Sequence, residues 1–165
     1  MAYAPFTSAG LQAIATNSAT QIHPLGTICR AVDPTYGEGE FIYLLGVAST
    51  VVGSMVTWNA TTYQTALSAD SAGTGAPFAF AMSANVAGEY GWYQIGGLAV
   101  AKKTNVSCAP QKAGYQAATT GRVMDTVASG KQVAGARSAN LATVTTTTST
   151  VVLQINRPHN TGVII

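Results

Sequence analysis

Charged residues are scarce in this chain. Its 165 residues include eight basic and six acidic side chains, so 8% are charged, whereas an average globular domain carries about 25%. Charges normally keep a monomer dispersed. Because 47% of the residues are hydrophobic, we expect other protein to cover much of the surface in the working state. The composition therefore predicts a component of an assembly.

Long apolar runs and clusters of basic residues are missing as well. No run is long enough to cross a bilayer, so no membrane partner is predicted. The net charge of +2 is too small and too scattered for a nucleic-acid footprint, so no nucleic-acid partner is predicted. Met1 to Pro5 do not provide a basic start followed by an apolar core, which predicts no signal peptide and synthesis in a cytoplasm.

Patterns that carry catalysis are absent. The sequence has no nucleophile elbow, no P-loop, no dinucleotide fingerprint and no zincin motif. Glu38 and Glu40 are the closest pair of acids, but they lie in a Gly-rich turn and are expected to be solvated. His23 and His159 each adjoin a proline and have no partner at ligand or triad spacing. The sequence predicts a non-enzymatic protein with no catalytic residue, no metal and no cofactor.

Only two cysteines occur, Cys29 and Cys108. Their separation fits no metal-ligand spacing. Three states stay open: buried free thiols, an internal disulfide, or an intermolecular disulfide formed after release into an oxidising medium.

The first 25 residues differ from the rest. Residues 1–25 are rich in Ala, Ser and Thr and contain no charged side chain. Their apolar side chains do not keep a helical period. We interpret residues 1–25 as an extended arm that packs on a neighbouring subunit, and residues 26–165 as a single β domain; the alternative is that the segment forms the first strand pair of the same domain. The candidate interface residues are Tyr3, Phe6, Leu11, Ile14 and Ile22.

Strand signals dominate from Gly26 onward. Thr27–Val32 and Phe41–Val47 are apolar runs that flank a turn-like stretch. Met55–Trp58 and Tyr63–Leu67 flank a short polar segment, which predicts a hairpin. With about eight to ten short strands and almost no helix signal, the fold class is all-β, a small antiparallel barrel or sandwich.

The clearest local pattern lies in residues 90–101. Two β-rich runs flank Gly96 and Gly97, and a Gly-Gly pair supplies the positive φ angles of a tight turn. The pattern predicts a core hairpin that is covered on both sides. Its predicted members are Trp92, Tyr93, Ile95, Gly96 and Gly97.

Several motifs in order resemble small tailed-phage virion proteins. Residues 88–100, GEYGWYQIGGLAV, resemble the central hairpin of these proteins. Downstream follow a strand–Gly–strand pattern at residues 113–115 and 120–123, a Gly-Ala-Arg element at 135–137 and Arg-Pro at 157–158. The upstream stretches 45–47 and 56–58 are also similar.

These proteins are capsid decoration, or cement, proteins. The resemblance implies a compact barrel of the β-tulip kind on the virion surface. It implies a homo-oligomer, usually a trimer, that clamps adjacent major capsid protein subunits from outside, without a cofactor. The alternative is a head-fibre base or a surface adhesin that binds host glycan through exposed aromatic side chains such as Trp58 and Trp92.

Overall fold

The computed structural model describes residues 4–5, 11–104 and 106–162. Within these ranges the chain forms strands and no helix, which confirms the all-β class. The strands in chain order are β1 (Ala4–Pro5), β2 (Asn17–Ser18), β3 (Ile28–Asp33), β4 (Gly37–Leu45), β5 (Met55–Trp58), β6 (Thr65–Leu67), β7 (Phe78–Ala81), β8 (Tyr90–Lys102), β9 (Ala113–Gln116), β10 (Val123–Met124), β11 (Gln132–Ser138) and β12 (Thr150–Asn160).

The strands form one antiparallel sheet that curls into a half-barrel. Its main path runs β1-β3-β4-β8-β12-β11-β9-β10. Four strands lie off this path: β2 pairs with β8, β5 pairs with β6 and β7, and β7 also pairs with β8. The predicted hairpin between β5 and β6 is confirmed, with Trp58 opposite Thr65. Its turn is held by Asn59, whose Oδ1 accepts the backbone N–H groups of Thr61 and Thr62.

The strand β8 lies at the centre of the sheet, and the hairpin predicted for residues 90–101 is wrong. Residues 90–102 form one continuous strand. Strand β4 pairs with its first half, up to Glu40 opposite Gly96, and β12 pairs with its second half, from Asn156 opposite Gly96 onward. The chain therefore does not turn back at Gly96 and Gly97.

Gly97 has the positive φ that the sequence predicts, but it lies beside a β-bulge and not in a turn. Its φ is 92°, and a Cβ built there would lie 2.4 Å from the carbonyl oxygen of Glu38. The register of β4 against β8 shifts between Glu40 and Phe41. The glycine thus lets two backbones approach closely where the long strand exchanges neighbours.

The two faces of β4 and β8 carry separate parts of the core. Because successive residues of a strand point to opposite faces, Tyr43 and Trp92 pack in one cluster, while Ile42, Tyr93 and Ile95 pack in another. The prediction that this strand is covered on both sides is confirmed. A third cluster joins β5, β7, β8, β11 and β12 and includes Cys108.

Candidate functional site: an apolar groove beside two ion pairs

The N-terminal segment, from residue 11 onward, lies against this chain's own sheet. Ile14 is 2% exposed and belongs to the cluster of Tyr43 and Trp92, and Leu11 packs against the same cluster. These two candidate interface residues are core contacts here, as the alternative interpretation of the segment expects. Ile22 is 49% exposed and remains available to a partner. Tyr3 and Phe6 lie outside the described residues.

Gln12 fastens this segment to the core. Its carbonyl oxygen accepts a hydrogen bond from Trp92 Nε1 at 3.0 Å, and its side-chain Oε1 accepts one from the Tyr43 hydroxyl at 2.7 Å. Its Nε2 donates to the carbonyl of Tyr90. Its backbone N–H donates to His23 Nε2, so that ring nitrogen is an acceptor. His23 therefore orders the segment, and its ring packs against Tyr43 and Trp92.

The two cysteines are free thiols that lie in different parts of the core. Cys29 packs beside Ile14 and Trp92, whereas Cys108 is buried among β5, β11 and β12. The internal disulfide considered above is absent from this structure. Burial raises the pKa of the Cys29 thiol to about 11 and also raises the pKa of the Cys108 thiol. Both are therefore poor nucleophiles at neutral pH.

An apolar groove opens where β3, β4 and β8 meet the ends of β5 and β12. Its volume is about 150 Å³. Ile42, Ile95 and Pro158 are buried at its floor. Ile28, which is 45% exposed, lines it on β3. The remaining lining residues are Trp58, Pro77, Arg157 and His159.

Charged side chains gather beside this groove. Arg30 pairs with Glu38 at 3.3 Å, and Arg157 pairs with Glu40 at 3.0 Å. Arg30 lies directly opposite Glu40 in the β3–β4 ladder. Four of the chain's fourteen charged residues therefore form one neutral group, which we call the charged rim. An apolar centre with a polar rim is the usual anatomy of a protein interface.

A second concave region is polar and lies across β9, β11 and β12. Its volume is about 540 Å³, and Gln132, Gln154 and Asn156 line it. Arg137 donates two hydrogen bonds to Gln154 Oε1, at 2.8 and 2.6 Å. Most of its polar side chains are exposed, and none is held by a buried partner.

A buried lysine follows directly after β8. Lys103 is 1% exposed, and its Nζ donates to the carbonyls of Thr104 and Val106 at 2.9 and 2.7 Å. These two hydrogen bonds tie the chain beyond β8 to the core.

Metal and membrane features can be stated for the described ranges. No group of three His, Cys, Asp or Glu side chains there could hold a metal ion. No helix in that part of the chain is long and apolar enough to cross a membrane.

Comparisons with known proteins return no match. No family model, curated protein or solved structure matches this chain.

Sequence reasoning did not find the groove. Ile28 and Pro158 lie far apart in the sequence, and Pro158 reads as a strand terminator, yet it sits inside β12. One local signal was present: Ile28, Arg30 and Val32 alternate along β3, and all three are exposed. Apolar side chains on the solvent face of a strand indicate a surface that meets another protein.

Proposed function

We propose that this chain is a non-enzymatic virion protein that decorates a phage capsid and stabilises it by clamping adjacent major capsid subunits. In this role the protein is synthesised in the host cytoplasm, forms a homo-oligomer and ends on the capsid surface. Its partner is the major capsid protein. It stabilises the capsid by burying apolar surface and catalyses no reaction.

One observation carries the proposal: exposed aliphatic side chains occupy loops that hold almost no charge. The loop 46–54 exposes Val51 and Val52, the loop 82–89 exposes Val86, and the loop 139–149 exposes Leu141. Glu89, next to β8, is the one charged residue in these three loops. The first two loops touch, because Gly46 packs against the backbone of Val86. Apolar loops with so little charge suit a surface that is buried against another protein.

The physical task also fits such a surface. DNA packed in a head pushes outward, and added contacts across the seams between capsomers resist that pressure. Many copies that each bury a modest apolar area give avidity without a strong single contact. Apolar burial is hardly screened by salt, so the contacts persist in varied media.

The adhesin alternative gains less support from the structure. Trp92 is fully buried and Trp58 is half-buried. Every aromatic side chain whose burial the structure describes is buried or half-buried. The described surface therefore offers no fully exposed ring on which a sugar could stack.

The test uses particles that lack this protein. Adding the purified chain back should raise the temperature at which the particles release their DNA. A Val52→Asp, Val86→Asp double variant should restore much less resistance, because a charge is buried at the contact. Val127→Asp is the control, since Val127 is the same residue type and is also exposed, but lies two residues from Asp125. If the wild-type chain neither binds the particles nor changes DNA release, the proposed function is wrong.

A further inference from the structure

We propose that the apolar groove and its charged rim form the contact between two copies of this chain, placed face to face about a two-fold axis. This inference extends the homo-oligomer of the proposed function by naming its surface and symmetry. Its readout is the mass of the free protein, so it can fail while capsid binding stands, and the reverse also holds.

The groove supplies a cavity, and exposed aliphatic side chains beside it can fill the cavity of a second copy. An apolar cavity of about 150 Å³ holds a benzene-sized group, and the groove has this volume. Ile28, at its edge, is 45% exposed, and Val32, further along the same face of β3, is 40% exposed. A two-fold axis makes the same patch face itself. Each copy can therefore place an aliphatic side chain in the groove of the other.

The arrangement of charge beside the groove also suits a second copy of the chain. The charged rim has two arginines and two glutamates, so a partner of one charge sign gains no net attraction. A second copy does gain, because rotation about the axis can bring the Arg of one rim opposite the Glu of the other. Side-chain exposures of 67% for Arg30 and 53% for Glu38 leave both groups accessible to a second chain. The charge complementarity thus selects the chain itself as occupant.

The position of the charged side chains on the surface is a further feature that suits an interface. The chain has few charges, yet Arg157 lines this opening and three more charged side chains, Glu40, Arg30 and Glu38, lie beside it on β3 and β4. Elsewhere Val127 and Leu141 are exposed on loops without a comparable rim. Oppositely charged pairs around an apolar centre fix the register of an interface more than they add affinity. The ion pairs beside the groove can therefore fix one relative orientation of the two copies.

The first experiment measures the molar mass of the free chain by light scattering after gel filtration. We expect twice the 16.8 kDa of one chain. Ile28→Glu should weaken the dimer about tenfold or more, since it puts a charge into the apolar centre. Val127→Glu is the control and should leave the dimer intact. A monomer, or a trimer as the resemblance implies, overturns the two-fold contact, as does a dimer that Ile28→Glu leaves unchanged.

The second experiment does not depend on the Ile28 variant folding. One variant carries Arg30→Glu and Arg157→Glu, so its rim is acidic; the other carries Glu38→Arg and Glu40→Arg, so its rim is basic. Each alone should be monomeric because like charges face each other, and an equimolar mixture should form a mixed dimer. Dimers of either variant alone, or a mixture that stays monomeric, would overturn the proposal.

Discussion

Trp92 Nε1 donates a hydrogen bond to the carbonyl oxygen of Gln12 at 3.0 Å, across 80 positions of the chain. Trp92 lies at the centre of the sheet, and Gln12 lies in the N-terminal segment between β1 and β2. A fully buried indole N–H needs an acceptor, and this backbone carbonyl is the one it has. The contact makes the segment from residue 11 part of the fold, and stability measurements can test that statement.

Truncation tests it directly. Removing residues 2–21 takes away Gln12 and Ile14 and uncovers Trp92, so we expect a large loss of stability and a red shift of tryptophan fluorescence. Removing residues 2–10 leaves Gln12 and Ile14 in place and should change the unfolding midpoint much less. Equal stability of both truncated chains would show that the segment is an arm without a role in the core.

The Gln12 side chain can be tested alone. In Gln12→Ala the buried Tyr43 hydroxyl loses its acceptor, and an unsatisfied buried polar group costs about 1–3 kcal/mol. We expect the free energy of unfolding, measured in urea, to fall by that amount. Thr20→Ala, at an exposed position of the same segment, should be neutral; a neutral Gln12→Ala would contradict the account.

Gly97 should tolerate alanine badly. Its positive φ and the Glu38 carbonyl 2.4 Å from a built Cβ both oppose a side chain, and strain of this kind costs about 1–3 kcal/mol. Gly37 also has a positive φ, but its Cβ would meet open space. The difference in unfolding free energy between Gly97→Ala and Gly37→Ala therefore isolates the close approach. If the two variants are equally stable, the bulge does not depend on Gly97.

Alkaline pH should destabilise the fold. Burial raises the pKa of Cys29 from 9.0 to about 11, so the folded state holds a proton that the unfolded state releases earlier. This contribution is complete below about pH 9 and is lost as the pH rises towards 11. Tyr43, Tyr93 and Cys108 have raised pKa values as well and act in the same direction.

The measurement is the free energy of unfolding between pH 8 and 11, with Cys29→Ala as the comparison. The wild-type chain should lose stability more steeply than Cys29→Ala over this range. Alkylation of Cys29 in the native protein should be slow at pH 8. Rapid alkylation at pH 8, with parallel pH curves for the two chains, would contradict the raised pKa of the half-buried Cys29 thiol.

Local patterns predicted the strands well but not their neighbours. The Thr27–Val32 and Phe41–Val47 runs lie largely in β3 and β4, and the Asn59 turn became a hairpin, because adjacent residues decide these features. The predicted turn around Glu38 and Glu40 is wrong: β4 begins at Gly37, and both glutamates lie in the strand and pair with arginines. Of the predicted pair Gly96-Gly97, only Gly97 has a positive φ. Whether that angle makes a turn or a bulge depends on Glu38 and β12, which lie far away in the sequence.

The candidate site was harder to predict for the same reason. The groove brings together Ile28, Ile42 and Ile95 with Pro77 and Pro158, and only the curled sheet makes them neighbours. The segment 11–25 reads as an arm because it has no charge and no period. Its burial depends on contacts with Tyr43 and Trp92, which lie far away in the sequence, so the segment alone does not predict it.

The most direct test of the cementing role is a binding isotherm on heads that lack this protein, at low and at high salt. Apolar contacts predict saturation at a fixed number of copies per capsomer, with similar affinity between about 0.1 M and 0.5 M salt, where the Debye length is already short. Absence of saturable binding, or binding that disappears by about 0.3 M salt, would contradict a protein that stabilises a capsid by apolar burial.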